Sequence, residues 1–221
     1  MTLDGIERAL SAAGIGESRT EAYILAEHFL KIPKSRLVLM RGEEISSDGL
    51  SAAVERRIKR EPLAYILGSA YFMNEEYEVS PDCLIPRPET EQLVCRAAEL
   101  LPHGGRFLDL CTGSGCVAVS LLSLRHDASG EALDISDGAC RLAERNARRA
   151  GVDSRLKIVR ADMFSWEPCD VPCGSSDGES AGGCADFREH SDRSQPTDET
   201  ARVYDIITAN PPYVTAEEMR D

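Results

Sequence analysis

Phe107-Leu108-Asp109-Leu110-Cys111-Thr112-Gly113-Ser114-Gly115 is a short apolar run that breaks into a glycine-containing turn just ahead of a second apolar stretch, Cys116-Val117-Ala118. The run reads as a buried strand, the turn as the loop over its carboxyl end, and the next stretch as the start of a helix. Gly113 and Gly115 let the backbone turn tightly and approach a ligand closely. Moving outward, strand and helix patterns alternate: Ala132 to Ile135, a helix through Asn146, Ile158 to Val159, and Asp205-Ile206-Ile207-Thr208-Ala209. This alternation predicts an α/β fold with a parallel sheet and crossover helices.

Upstream the pattern changes. Ser18 followed by Glu21 has capping-box spacing and opens an apolar stretch through Ala22, Leu25, Ala26 and Phe29. Leu50, Val54 and Ile58 continue helical spacing in a segment rich in Arg and Lys. Residues 1–70 therefore read as a small helical domain. From Tyr71 to Ser80, aromatic and β-type residues about Asn74 predict a hairpin. In Leu84-Ile85-Pro86-Arg87-Pro88-Glu89-Thr90-Glu91, two prolines force an extended segment ahead of a helix. Residues 71–91 thus form a hairpin and proline-rich linker, and 92–221 the sheet domain. Between Trp166 and Arg202 the chain is rich in Gly, Ser, Asp and Glu with almost no aliphatic residues, so 167–202 is expected to be a mobile low-complexity insertion.

The formal net charge of −13 is concentrated late in the chain: residues 169–202 carry 3 basic and 8 acidic side chains. Phosphate backbones are bound by clustered Lys and Arg, so this balance argues against a nucleic-acid partner. No apolar run reaches membrane-span length, and Met1-Thr2-Leu3-Asp4-Gly5 lacks a secretory pattern, so a cytoplasmic location without membrane contact is expected. Most of the eight cysteines are then expected to be reduced core thiols. Cys169, Cys173 and Cys184 make three ligands at unconvincing spacing, and no metal is expected.

Two groups of residues carry chemistry. Asp134 ends the second strand, 19 residues beyond Gly115. There a carboxylate can take both hydroxyls of a ribose, or cap the helix that follows. With no third glycine in the loop, adenosine without a pyrophosphate fits better than a dinucleotide. Asp162 follows the third strand and can accept from an adenine amino group, with Met163 or Phe164 either covering the ring or filling the core. The second group, Asn210-Pro211-Pro212-Tyr213, stands at the carboxyl end of the last strand, where ligands sit in open α/β sheets. The Asn210 side-chain carbonyl can accept from a substrate N–H, Pro211 leaves an acceptor-rich surface, and Tyr213 offers a flat ring. Alone, the tetrapeptide suits a planar nitrogen of either an amide or an adenine.

Together these residues resemble class I S-adenosylmethionine-dependent methyltransferases. More narrowly, Glu61-Pro62-Leu63-Ala64-Tyr65-Ile66-Leu67-Gly68, the Phe72 hairpin, Ile85 to Glu91, the Asp109 to Gly115 loop and Asn210 to Tyr213 resemble the release factor glutamine methyltransferases, called PrmC or HemK. The resemblance implies a Rossmann-like parallel sheet with a small helical N-terminal domain that helps hold the protein substrate. It also implies that Cys111, Thr112, Gly113, Ser114, Gly115, Asp134, Met163 and Asn210 contact S-adenosylmethionine, with Asp109 orienting the loop or the amino group of the cofactor's methionine part. Asn210, Pro211, Pro212 and Tyr213 would hold the substrate, the Gln of a Gly-Gly-Gln motif in peptide chain release factors. Asn210, Pro211 and Tyr213 would be the catalytic set.

The sequence ends eight residues after Tyr213, whereas the family fold continues through three further strands, so the chain is expected to be truncated and its sheet incomplete. The alternatives are a DNA adenine-N6 methyltransferase, which presents a similar NH₂ to the same tetrapeptide, and an inactive fragment.

Overall fold

A computed structural model of the chain describes residues 1–166 and 204–211. The expected insertion at 167–202, with Cys169, Cys173 and Cys184, and the expected substrate residues Pro212 and Tyr213 lie outside the described residues. The chain divides into two compact units, Met1–Pro86 and Arg87–Asp221.

The first unit is helical. Its elements are α1 (Leu3–Ala12), α2 (Ser18–Leu30), α3 (Lys34–Leu39), α4 (Asp48–Ile58) and α5 (Leu63–Leu67), followed by a hairpin of β1 (Ser69–Phe72) and β2 (Glu75–Glu78). Apolar residues spaced three and four apart give α1 one buried stripe, Leu3, Ile6 and Leu10. The Thr2 hydroxyl accepts from the Gly5 N–H and caps that helix. Leu25 and Ala26 of α2 and Leu50 and Val54 of α4 complete the core, while Ile58 is exposed at the helix end. The capping box expected at Ser18 does not form. Ser18 is already the first helical residue and Glu17 stands at the cap position. The Glu21 carboxylate is taken instead by Arg57 of α4, at 2.6 and 3.0 Å, a two-pronged pair that holds α2 to α4. In the hairpin, Met73 and Asn74 form the two-residue turn with positive φ at both, the twist that tight hairpins favour.

The second unit holds α6 (Thr90–Leu100), β3 (Arg106–Leu110), α7 (Cys116–Leu124), β4 (Ser129–Asp134), α8 (Asp137–Arg149), β5 (Leu156–Arg160) and β6 (Ile206–Ala209). The four strands pair in the order β5-β4-β3-β6, every pair parallel. Helix α7 is apolar nearly all round and buried from Cys116 to Leu122, whereas α8 buries one face through Ala139, Leu142, Ala143 and Ala147. Arg125 fastens the end of α6, its guanidinium donating to the carbonyls of Ala98, Leu101 and Pro102. The chain moves outward from β3 through β4 to β5 and then returns to place β6 on the other side of β3. This reversal between β3 and β6 is the topological switch point of a doubly wound sheet, where the strand ends leave a crevice for ligands. Among the described residues, no helix is long and apolar enough to cross a membrane.

Candidate active site

Both sequence motifs arrive at the switch point. Strand β3 ends in the loop Cys111 to Gly115, and β6, beside it, ends in Asn210. Asp109 joins the two. Its buried carboxylate accepts from the Thr112 hydroxyl at 2.7 Å on one oxygen and from the Thr208 hydroxyl at 2.7 Å on the other. Burial pushes the carboxyl up to about 6, a rise that the two hydroxyl donors oppose and the nearby Asp134 carboxylate reinforces. Of the two roles expected for Asp109, orientation of the loop is therefore the one its contacts support.

The loop is held from three sides. The Thr112 N–H donates to the Leu133 carbonyl, the Gly113 N–H to the Asp134 carboxylate and the Gly115 N–H back to the Thr112 carbonyl, each at 2.9 Å. The Asn146 amide, buried on α8, donates to the Ser114 carbonyl at 2.8 Å. Cys111 adopts a left-handed backbone with φ 56°. Its half-buried thiol lies 3.8 Å from the Met163 sulfur, and burial, then Asp134 and Asp109, raise its pKa and keep it protonated.

Gly115 also has a packing part: a Cβ there would stand 2.9 Å from Ala143 Cβ, so the glycine permits close approach of α8 to the loop.

Asp134 is half-buried at the end of β4, with one oxygen accepting from Gly113 and the other from the Ser136 N–H at 2.9 Å. It does not cap α8; the Ser136 hydroxyl does, accepting from the Ala139 N–H. Each Asp134 oxygen keeps a further lone pair for a hydroxyl donor. Beyond it, Met163 is 36% exposed and Phe164 87% exposed, so neither fills the core. Asp162 is exposed, with one oxygen accepting from the Phe164 N–H at 3.0 Å in a turn of its own making. Sequence reasoning missed Ile135, an apolar side chain 69% exposed immediately after Asp134. The Ala161 N–H donates to the Asp134 carbonyl and Arg160 Nε to the Ile135 carbonyl, so the segments bearing Ile135 and Met163 leave the sheet side by side. The signal was present: an aliphatic residue that follows a strand-ending acid has left the core side of the sheet.

These residues fit an adenosine-containing ligand. A carboxylate with spare acceptor capacity suits ribose hydroxyls, and the exposed apolar side chains suit a flat ring. The Ser114 hydroxyl in the same loop is buried without a partner among the described residues. A pyrophosphate is a poorer fit, because it needs a row of free amides and those of Thr112, Gly113 and Gly115 are already engaged.

Asn210 is half-buried, and its side-chain nitrogen donates to the Thr90 hydroxyl at 3.2 Å. Thr90, itself buried, opens α6 directly after the proline-rich segment. Pro211 is exposed beside Asn210. Among the described residues there is no cluster of three or more His, Cys, Asp or Glu able to hold a metal. Cys83, Cys116 and Cys140 are buried free thiols, as expected of core cysteines, but Cys95 is exposed on α6.

The parallel sheet, its switch point and the loop over β3 make a Rossmann-like α/β fold. Residues 2–68 match the PrmC N-terminal domain. The chain is 44% identical over 170 residues to the release factor glutamine methyltransferase of Nitratidesulfovibrio vulgaris, covering 73% of this chain and 58% of that one. It is 34% identical over 213 residues to the protein of the same name from Cereibacter sphaeroides, covering 95% of this chain and 64% of that one. The chain is thus a relative of the release factor glutamine methyltransferases, and it spans about three fifths of the length of these curated relatives. Among solved structures, a SAM-dependent methyltransferase from Thiobacillus denitrificans with S-adenosyl-L-homocysteine is 30% identical over 36% of this chain and 32% of that one, with a TM-score of 0.32.

Proposed function

We propose that this chain provides the cofactor half and the substrate-amide clamp of an enzyme that methylates the Gln side-chain nitrogen in the Gly-Gly-Gln motif of peptide chain release factors. The observation that carries the reading is Asn210 at the carboxyl end of β6, across the switch point from the Asp109-anchored loop. The names of the curated relatives supply the substrate class.

S-adenosylmethionine, the proposed methyl donor, supplies an electrophilic methyl group on a sulfonium. On this reading Asp134 holds the ribose hydroxyls, Ile135, Met163 and Phe164 cover the adenine, and the Cys111 to Ser114 loop faces the methionine part. Gly115 serves the loop by its packing, and Asp162 shapes the turn that presents Met163.

An amide nitrogen is a poor nucleophile because its lone pair is shared with the carbonyl. The protein's task is then to fix its position and orientation. The Asn210 side-chain carbonyl and the Pro211 backbone carbonyl accept the two amide hydrogens, and so stabilise positive charge as it develops on nitrogen. Pro212 and Tyr213, outside the described residues, complete the proposed substrate-holding set. No base is required if the proton leaves to water once the new N–C bond has formed.

The test is incubation of the chain with a release factor and methyl-labelled cofactor, followed by peptide mapping. Label on the Gly-Gly-Gln glutamine is expected, abolished by Asn210→Ala while cofactor binding persists. Label on adenine of duplex DNA instead, or undiminished transfer by the variant, would overturn the assignment.

A further inference from the structure

We infer that Thr208 is a positioning residue for the loop after β3: through Asp109, its hydroxyl ties that loop to the strand that ends in Asn210. The inference rests on the function proposed above for the cofactor that the loop would face. Strand β6 sets Thr208 beside Asp109 in register, and both residues are buried. An ionised carboxylate only accepts hydrogen bonds, so in a buried place its oxygens need donors. The Thr208 hydroxyl donates to Oδ1 and the Thr112 hydroxyl to Oδ2, each at 2.7 Å, and the Ala118 N–H of α7 bonds to the same carboxylate. Valine has nearly the shape of threonine and suits a strand as well, so the hydroxyl is what the carboxylate requires of position 208.

These donors decide the charge of Asp109, and its charge decides how firmly Thr112 is held. Burial and the Asp134 carboxylate at the end of β4 work against ionisation, and the neighbouring Cys111 thiol stays protonated. The donors oppose them, so the carboxyl titrates at about 6 and is ionised at neutral pH. The Thr112 hydroxyl then bonds to an anion, a contact roughly twice as strong as one to a neutral carboxyl. Without the Thr208 hydroxyl, Oδ1 loses that donor, the carboxyl protonates nearer neutrality and the remaining hold on Thr112 weakens. The Leu133 carbonyl and the Asp134 carboxylate fasten the loop from the β4 side. Thr208 secures it from β6, on the other side of β3 and two residues before Asn210.

Three variants of the full chain test this: Thr208→Val, which keeps shape and removes the hydroxyl, Thr208→Ser, which keeps the hydroxyl, and Asp109→Asn. The first readout is the titration of the Asp109 carboxyl in protein carrying ¹³C-labelled aspartate, its resonance assigned by loss in Asp109→Asn. The amides of Thr112 and Gly115 are followed in the same titration. Thr208→Val is expected to move the Asp109 midpoint upward, with both loop amides following it, and Thr208→Ser to leave it near wild type. The second readout is calorimetric titration with S-adenosylmethionine across pH. At about pH 7 Thr208→Val should bind about fivefold more weakly than wild type, the difference between a charged and a neutral hydrogen bond, and should rejoin wild type by about pH 9. Thr208→Ser should match wild type throughout. An unmoved midpoint in a folded Thr208→Val protein overturns the inference, as do loop amides that ignore Asp109 or a loss of affinity that persists at high pH. If Thr208→Val does not fold, Thr208→Ala takes its place under the same criteria. Absence of S-adenosylmethionine binding by the wild type would count against the proposed function, while the carboxyl and amide titrations would still decide whether Thr208 holds the loop through Asp109.

Discussion

A single buried carboxylate, Asp109, links the loop after β3 to the strand that carries Asn210, and its burial has a measurable consequence. Its pKa is raised from 3.8 to about 6 in the folded chain. Between those values the folded state binds the proton that the unfolded state has lost, so Asp109 favours folding below about pH 4 and that contribution disappears as pH rises through about 6. One unit corresponds to about 1.4 kcal/mol, so the swing is about 3 kcal/mol. Other carboxylates titrate in the same range, so the quantity to measure is the difference between wild type and Asp109→Asn. Urea unfolding followed by fluorescence of Trp166, the sole tryptophan, reports on the second unit. Wild type is expected to lose about 2 kcal/mol of that swing relative to the variant between about pH 4 and about pH 6.5. A difference that stays flat over this range would remove Asp109 as the titrating group. At the same scale, and on the proposed reading, Asp134→Ala should weaken S-adenosylmethionine binding by roughly tenfold or more, because it would remove the proposed ribose acceptor and free the Gly113 N–H that orders the loop. Calorimetric titration would measure this, and unchanged affinity would place the ribose elsewhere.

Among the elements, β3 and β4 meet through an interlock no local pattern announces. Phe107 and Gly130 are register partners, and the fully buried Phe107 ring lies over the glycine. A Cβ at Gly130 would stand 2.5 and 2.7 Å from the two ring ε carbons, in a core with no room to yield. Gly130→Ala is therefore expected to destabilise the sheet by about 1–3 kcal/mol even though alanine suits a strand better. In a Phe107→Leu background the same change should cost less, and equal costs in both backgrounds would show that the ring is not the obstacle. The elements themselves were largely legible in the sequence: the run before Gly113, the helix pattern through Asn146 and the run before Asn210 each predicted their structure. Strand order was not legible locally, nor was the contact of Thr90 with Asn210, because neither is encoded by spacing. Ser18 failed as a cap for a related reason: the Glu21 side chain that would complete the box found a better partner on α4. The close packing of Gly115 against Ala143 of α8 was likewise not legible, because it is a contact between elements distant in sequence.

At the scale of the molecule, Met1–Pro86 closes a core of its own. Leu3, Ile6, Leu10, Leu25, Leu37 and Leu50 are all buried within that unit, with Ile15, Tyr23, Ile45 and Ile66 around them. Its polar fasteners are equally internal: the Glu21 to Arg57 pair, Arg41 reaching Asp4 and Glu7, and the Tyr65 hydroxyl donating to the Cys83 carbonyl at 2.7 Å. Exposed ion pairs contribute little, but the Glu21 to Arg57 pair is mostly shielded and bidentate, so its loss should be felt. A segment with a complete core and satisfied buried pairs should fold without the rest of the chain, even at a length where single cores are marginal. Residues 1–86 expressed alone are accordingly expected to show helical circular dichroism that melts cooperatively, and Arg57→Met within that segment should lower the midpoint by several degrees. The prediction bears on function because this is the unit that matches the PrmC N-terminal domain and, on the proposed reading, meets the release factor. A non-cooperative melt would mean that the first unit owes its order to the second, and its core could not then be treated as a separate platform for a protein substrate.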